Sequence, residues 1–373
     1  MVQAMGDERV LRCVGLRRIA VEGLTIRRRR CGKGFVYLDD RGRRIADAHD
    51  LARIRSLAIP PNYLGVRIAP DPRAHLQAIG TDVAGRHQYR YHPDWELVRE
   101  RQKVDRLATL SRTVARIRRR VDGDLALPGP SRPKALAAVV AVVDRTHIRI
   151  GCEDYLHSGR SRGASTLLKR HVRVEGHMIA FAFRGKGGRD LECRIQSAPA
   201  LADAIEEMEC LAGPRLFQYR DASGRRHAVT ASEVNAYLRE ISGATVTAKD
   251  FRTLAATAAA GVRLARMTPA ARPTARRRQV SEVMREVAEL LSNTPAVVRK
   301  SYVHRRILDA FSEGGLEDVY ADVRSRRYQS RGEALVSRLF AGSGVEQPGA
   351  SASEPGRLNL KEREHAGPGH ASA

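Results

Sequence analysis

The chain is poor in the features that mark an exported, membrane-bound or metal-dependent protein. Its five cysteines, Cys13, Cys31, Cys152, Cys193 and Cys210, are odd in number and form no C-x-x-C pair, which argues against a disulfide framework and a zinc ribbon. The 12 histidines include no H-E-x-x-H motif and no Cys/His cluster, so no metal site is expected. The longest unbroken apolar run, residues 135–143, has nine residues, about half of the ~18 that a membrane span needs. The first thirty residues are charged throughout and lack an apolar signal core, which points to the cytoplasm. Gly185-Lys186-Gly187 lacks both the Ser/Thr and the upstream glycine of a nucleotide-binding phosphate loop, so no ATP site and no small-molecule cofactor is expected. Acidic residues are also scarce: 42 Asp and Glu stand against 66 Lys and Arg, a net charge of +24, with a pI near 10.7. Such a balance calls for a polyanionic partner, nucleic acid ahead of a membrane surface.

At 373 residues the chain predicts two domains on a scale of about 150 residues each. Residues 342–373 are rich in Gly, Ser, Ala and Pro without apolar periodicity, the composition of a disordered tail. Three Lys/Arg against four Glu leave that tail at −1, so the rest of the chain carries +25. Residues 1–22 read as a flexible lead. From residue 23 to about 98 short apolar runs such as Phe35-Val36-Tyr37 and Val66-Arg67-Ile68 alternate with turn signals, predicting a small strand-rich domain with a helix near residues 46–56. Beyond Pro93 the spacing becomes helical, with Val104, Leu107, Leu110, Val114 and Ile117 on one stripe and arginines crowding the others. The domain boundary is expected between residues 96 and 103, and residues 99–341 form a mainly helical second domain. Inside it, turn signals at Glu175-Gly176 and at residues 184–188 predict two hairpins.

A few side chains separate from this background. Arg149, flanked by Ile148 and Ile150, needs a partner because an unpaired buried guanidinium is costly. That partner is either Glu153 or Asp154 in a structural ion pair, or an anionic ligand. Lys186 sits in a glycine-rich hairpin, either solvated or projected toward a ligand. Arg252 follows Lys249 by one helical turn at a helix start capped by Thr247, where an arginine opposes the helix dipole and favours a shared anion. Tyr302 lies behind Arg299-Lys300, and a phenol with pKa ~10 becomes a nucleophile when neighbouring cations stabilise its phenolate. Asn293 precedes it by nine positions.

In this order, Arg149, Lys186, Lys249-x-x-Arg252 and Asn293-x8-Tyr302 resemble the catalytic set of type IB DNA topoisomerases, in the compact form of bacteria and poxviruses. Ile59-Pro60-Pro61, Pro70-Asp71-Pro72, His75-Leu76-Gln77-Ala78, Gly85-Arg86, Gln88-Tyr89-Arg90-Tyr91-His92-Pro93 and Asn293-Thr294-Pro295-Ala296-Val297 also look like family motifs, from residue 23 to residue 311. The resemblance implies an α+β protein: a strand-rich N-terminal domain and a mainly helical catalytic domain of the tyrosine recombinase and type IB topoisomerase fold, closing as a clamp around double-stranded DNA. It implies relaxation of supercoiled DNA without ATP or metal, through a 3′-phosphotyrosyl intermediate and a free 5′-hydroxyl. Tyr302 would be the nucleophile, Arg149, Arg252 and Asn293 the phosphate-stabilising groups, and Lys186 the general acid. Lys249, Gln88, Tyr89 and Tyr91 would contact DNA, and the protein would act as a monomer in the cytoplasm, on the nucleoid. The chain departs from the usual pattern at Asn293, where histidine is common, at Cys152, where Asn is common, and at Leu254-Ala255, where an aromatic residue often follows Arg-Thr. A tyrosine site-specific recombinase, whose His-x-x-Arg box is here Lys249-x-x-Arg252, is one alternative. A non-catalytic DNA-binding protein and an RNA-binding or chromosome-coating protein are the others.

Overall fold

Five antiparallel strands make up the sheet of the N-terminal part: β1 (Ile26–Cys31), β2 (Gly34–Leu38), β3 (Leu64–Ile68), β4 (Leu76–Thr81) and β5 (His87–Tyr91), in the order β2-β1-β3-β4-β5. The computed structural model describes residues 10–153, 161–196 and 199–341. Helix α1 (Ala48–Ser56) joins β2 to β3 and buries Ile54 against Ile26, Val66, Ile68 and Ala78. Asp47 caps it by accepting the Asp50 N–H at 2.8 Å. Residues 10–22, within the stretch read as a flexible lead, are packed: Leu11 and Leu16 are buried with Trp95 and Val98. The expected tail, residues 342–373, and Asp154 lie outside the described residues.

Helix α2 (Trp95–Leu125) is 31 residues long and passes from one part of the molecule to the other. Its first turn holds Trp95 and Val98 against the N-terminal segment. From Leu107 onward its apolar stripe, Leu107, Leu110, Val114, Ile117 and Val121, belongs to the main core. The boundary expected between residues 96 and 103 falls within the first three turns of this continuous helix, so the two parts share a helical element rather than a loop.

The nine-residue apolar run is the central helix α3 (Arg132–Thr146), whose residues 135–143 are all buried. An all-round apolar helix is what the centre of a larger domain requires. Among the described residues no helix is long and apolar enough to cross a membrane. A three-stranded sheet packs beside α3: β6 (Val172–Glu175), β7 (Met178–Arg184) and β8 (Asp190–Gln196), the two expected hairpins. Next come α4 (Pro199–Glu209), a hairpin of β9 (Gln218–Arg220) and β10 (Arg226–Ala228), and α5 (Ala231–Ser242). The hairpin turns at residues 221–225, and its three-residue strands are too short to show as strand periodicity.

Helix α6 (Ala248–Leu264) is the wall between two cores. Phe251, Leu254 and Ala258 face the core of α2, α3 and the small sheet. Ala256, Ala260 and Leu264 face a second core built with α7 (Pro273–Leu290), α8 (Pro295–Ser301), α9 (Arg305–Glu313) and α10 (Leu316–Asp322). The departure at Leu254 thus fills a buried core position. Helix α11 (Arg331–Leu339) closes against α6 so tightly that a Cβ on Gly332 would meet the Ala258 carbonyl at 3.1 Å.

A partly buried ion cluster fixes this closure. Arg118 of α2 donates to both oxygens of Asp144 at 2.7 and 2.8 Å, and to both oxygens of Glu333 at 2.7 and 2.9 Å. It also donates to the Tyr328 carbonyl at 2.9 Å. One planar fork therefore ties α2, the end of α3 and α11 together. Arg118→Ala leaves two carboxylates without their cation and is expected to lower unfolding free energy by roughly 3 kcal/mol. Chemical denaturation checks this; a loss no larger than that of an exposed arginine would show that the cluster contributes little.

Candidate active site

Tyr302 stands where two helices break. Thr294 caps α8 by accepting the Val297 N–H at 3.4 Å, Pro295 fills the first helical position, and the helix ends at Tyr302. The Tyr302 N–H donates to the Val298 carbonyl at 2.9 Å, and its carbonyl accepts the Thr257 hydroxyl of α6 at 3.0 Å. The backbone is thus pinned from both sides, and the side chain is 7% exposed.

Arg252 reaches this ring from α6. The capping box behind it is closed by Asp250, which accepts the N–H and hydroxyl of Thr247 at 2.9 and 2.7 Å and pairs with Arg106 of α2 at 3.5 Å. Arg252 is 3% exposed and donates from Nη2 to the Leu291 carbonyl at 3.0 Å. Its guanidinium carbon lies 5.1 Å from the Tyr302 ring centre, and the two side chains are hydrogen-bonded. The opposition to the helix dipole foreseen for Arg252 is met here by the Tyr302 hydroxyl and a carbonyl.

Arg149 and Asn293 meet by way of two helix ends. Chain direction reverses after α3 at His147, in the left-handed region with φ 56°, and after α7 at Ser292, with φ 49°. Arg149 then donates from Nη2 to Asn293 Oδ1 at 3.0 Å. Of the two acidic partners expected for Arg149, Glu153 pairs instead with Arg215, and Asp154 lies outside the described residues. The Arg149 segment is clamped by Gly163, where a Cβ would come within 2.3 Å of the Arg149 carbonyl, so only glycine fits. Because Oδ1 is the acceptor, the amide orientation of Asn293 is set, and its Nδ2 points away, buried and without a partner among the described residues. Among the described residues Arg252 Nε is likewise buried and without a partner.

Lys186 lies in the turn between β7 and β8, among Gly185, Gly187 (φ 80°) and Gly188 (φ 73°), and is exposed. It lines one small cleft together with His147, Arg149, Arg162, Arg252 and Leu291. Lys249 is exposed on the first turn of α6, near enough to Tyr302 for its charge to act on the phenol. The structure therefore brings Arg149, Lys186, Arg252, Asn293 and Tyr302 together, with Lys249 at the edge. Gln88, Tyr89 and Tyr91 lie apart on the edge strand β5. Tyr89 and Tyr91 are 46% and 41% exposed and stack in a row that continues to Trp95. Gln88 has one amide hydrogen committed to Asp82 at 2.9 Å.

Electrostatics favour a reactive phenol. Burial alone would raise the Tyr302 pKa, but Arg252, by charge and hydrogen bond, then Arg149 and Lys249, hold it below the ordinary tyrosine value. Arg252 is itself lowered, by burial and by Arg149, against the opposing pull of Tyr302. His304, two residues beyond the tyrosine, is pushed down to about 4 by burial, Lys103 and Arg306. Its Nδ1 accepts the Arg306 N–H at 3.1 Å, so it is a neutral structural cap for α9. Sequence reasoning passed over Thr257, which pins Tyr302, and His147, which lines the cleft. Neither lies in a motif, and only the packing of α6 and the end of α3 reveals them. Chemically, an uncharged phenol beside a desolvated cation, with two unpaired N–H groups and a projecting lysine, can attack a phosphodiester and stabilise the charge that develops.

Residues 93–320 match the family profile described as eukaryotic DNA topoisomerase I, catalytic core. Residues 34–82 match the one described as bacterial DNA topoisomerase IB, N-terminal domain. The chain is 31% identical over 294 residues to a protein named DNA topoisomerase 1B from Acanthamoeba polyphaga mimivirus, covering 77% of this chain and 87% of that relative.

Proposed function

This chain belongs to the type IB DNA topoisomerases, and we propose that it relaxes supercoiled duplex DNA with Tyr302 as nucleophile. The observation that carries the residue assignment is the pair of buried, unpaired donors, Arg252 Nε and Asn293 Nδ2, in the cluster that holds the Tyr302 phenol. Unpaired buried donors cost stability in the free protein. A phosphate whose non-bridging oxygens accept from both offsets that cost, most of all at the pentacoordinate transition state where the charge is greatest.

In the proposed cycle the Tyr302 phenol, its pKa held down by the neighbouring cations, gives its proton to solvent. The phenolate oxygen attacks phosphorus, the bond to the 5′-oxygen breaks, and Lys186 gives that oxygen its proton. The protein is left joined to the 3′-phosphate, and the strand with the free 5′-hydroxyl swivels. Return attack by that hydroxyl, with Lys186 taking the proton back, frees Tyr302. Phosphoester energy is kept throughout, so neither ATP nor a metal ion is called for. Asn293 cannot titrate, and its role is electrostatic: it donates from Nδ2 while Oδ1 orients Arg149. Lys249 contacts a backbone phosphate near the cut, and Gln88, Tyr89 and Tyr91 meet the duplex from the N-terminal sheet. The enzyme works as a monomer, in the cytoplasm on the nucleoid.

The test is relaxation of positively and negatively supercoiled plasmid in EDTA without ATP. Both signs should relax, and denaturation during turnover should trap a 3′-linked adduct whose 5′-hydroxyl a kinase can label. Plasmid binding with no change of linking number at any salt concentration would overturn the reading; the salt titration is needed because each neutralised phosphate steepens the log–log dependence by ~0.9 and release limits turnover at low salt.

A further inference from the structure

We infer that His147 is a positioning residue of the catalytic cleft, whose imidazole takes up a proton when a DNA phosphate occupies the cleft and thereby reinforces Arg252. The inference rests on reading the cleft as a phosphate site.

Placement comes first. His147 ends α3 in a left-handed turn, its N–H donating to the Val143 carbonyl at 3.0 Å. A turn of that kind is served best by glycine or asparagine, so helix termination does not explain an imidazole. The ring lines the same cleft as Arg149, Lys186 and Arg252.

A second observation is its unpaired nitrogen. His147 Nδ1 is buried and has no hydrogen-bond partner among the described residues. Histidines that serve as local struts in this protein behave differently. The Nδ1 of His75 accepts from Ile19 N–H at 3.2 Å, that of His171 from Leu168 N–H at 3.1 Å, and that of His304 from Arg306 N–H at 3.1 Å. The His147 ring is instead held without local satisfaction, as a group is when its partner arrives with the ligand.

Charges on every side set the direction. Asp144 on its own helix and Glu333 on α11 favour the charged ring, while burial, Arg252 on α6 and Arg118 on α2 oppose it, and the balance leaves His147 below the ordinary histidine value. Both carboxylates are already committed to Arg118. Arg149, Lys186 and Arg162 add further cations around the cleft. The ring is therefore neutral in the free protein at neutral pH. A phosphate held by Arg149 and Arg252 cancels the cations that oppose the ring and adds a negative charge that favours it. Once protonated, both ring nitrogens donate.

Uptake of a proton on binding makes affinity rise as pH falls, and this separates the inference from a structural role. The probe is a short DNA duplex, bound in the Tyr302→Phe background with and without His147→Asn. Asparagine keeps the left-handed turn. DNA diesters do not titrate in this window, and the other histidines are common to both proteins. From about pH 8 to about pH 5.5 the affinity advantage of the protein with His147 should grow at least about threefold. In the protein with Tyr302 intact, the single-turnover rate of adduct formation should diverge from that of His147→Asn over the same window. An advantage constant with pH overturns the inference, and a lowered melting temperature with that constant ratio would make His147 a helix cap only. Failure of the parent reading looks different: the protein with Tyr302 intact would form no adduct at any pH.

Discussion

Tyr302→Phe is expected to abolish relaxation and adduct formation, by at least about 10^4-fold, while leaving duplex binding and its salt dependence in place. The separation follows from how the residue is held. Its backbone is fixed by Val298 and Thr257, and its ring is buried, so phenylalanine keeps the packing. The hydroxyl meets Arg252, and removing it leaves one more unpaired donor, a cost of about 1 kcal/mol in stability. Binding draws on a charge of +24 spread over the chain, and the substitution does not touch it. Plasmid relaxation, denaturant-trapped adduct and a gel-shift titration across salt measure the three quantities. Residual relaxation of a few per cent would remove Tyr302 from the nucleophile's place.

Not all of that charge is available to DNA, which composition could not reveal. Arg28 donates to the carbonyls of Ile59, Pro60 and Tyr63 and lies 4.2 Å from the Phe35 ring centre. Arg53 bonds Gln77 and the Ala69 carbonyl, and Arg118 is consumed by Asp144 and Glu333. These arginines close loops and helix ends, and the polyanion argument applies to the remainder. A count of charges gives the sign of the partner but not the footprint.

The parts of the fold legible beforehand are those written in local periodicity. The stripe of Leu107, Leu110, Val114 and Ile117 became one face of α2, and the Thr247 start became the cap that aims Arg252. The Gly176 turn and the glycines at 185, 187 and 188 became the two hairpin turns. What was not legible depends on partners far apart in the chain. Arg149 was matched with its near neighbours, yet its acceptor is Asn293, 144 positions away. Two non-glycine left-handed turns, at His147 and Ser292, bring them together, and nothing in the local residue types announces those turns. The change to helical spacing after Pro93 marks the start of α2 at Trp95, but periodicity does not tell that its first turn packs on the N-terminal segment and the rest on the main core.

Arg252→Gln is the second large effect: a loss in the rate of adduct formation of about 10^3-fold near neutral pH, shrinking as pH rises. Arginine fills three roles here that no shorter neutral group combines. It donates to the Leu291 carbonyl, it bonds the Tyr302 hydroxyl, and it keeps Nε free for a phosphate oxygen. Glutamine retains one amide and loses the charge. The pH dependence follows from the phenol. With Arg252 present, its charge and hydrogen bond outweigh burial and hold Tyr302 below its ordinary value of ~10. With the charge gone, Arg149 and Lys249 must oppose burial alone, and the phenol moves up. The pH at which the rate reaches its plateau therefore moves to the alkaline side in the variant. Part of the deficit, the part due to a scarcer phenolate, is recovered as pH rises through the raised value. The rest, due to lost transition-state donors, remains at every pH. Single-turnover adduct formation from about pH 6 to about pH 10 separates the two. A deficit that stays constant across that range would mean that Arg252 acts on the phosphate alone and that activation of Tyr302 lies elsewhere.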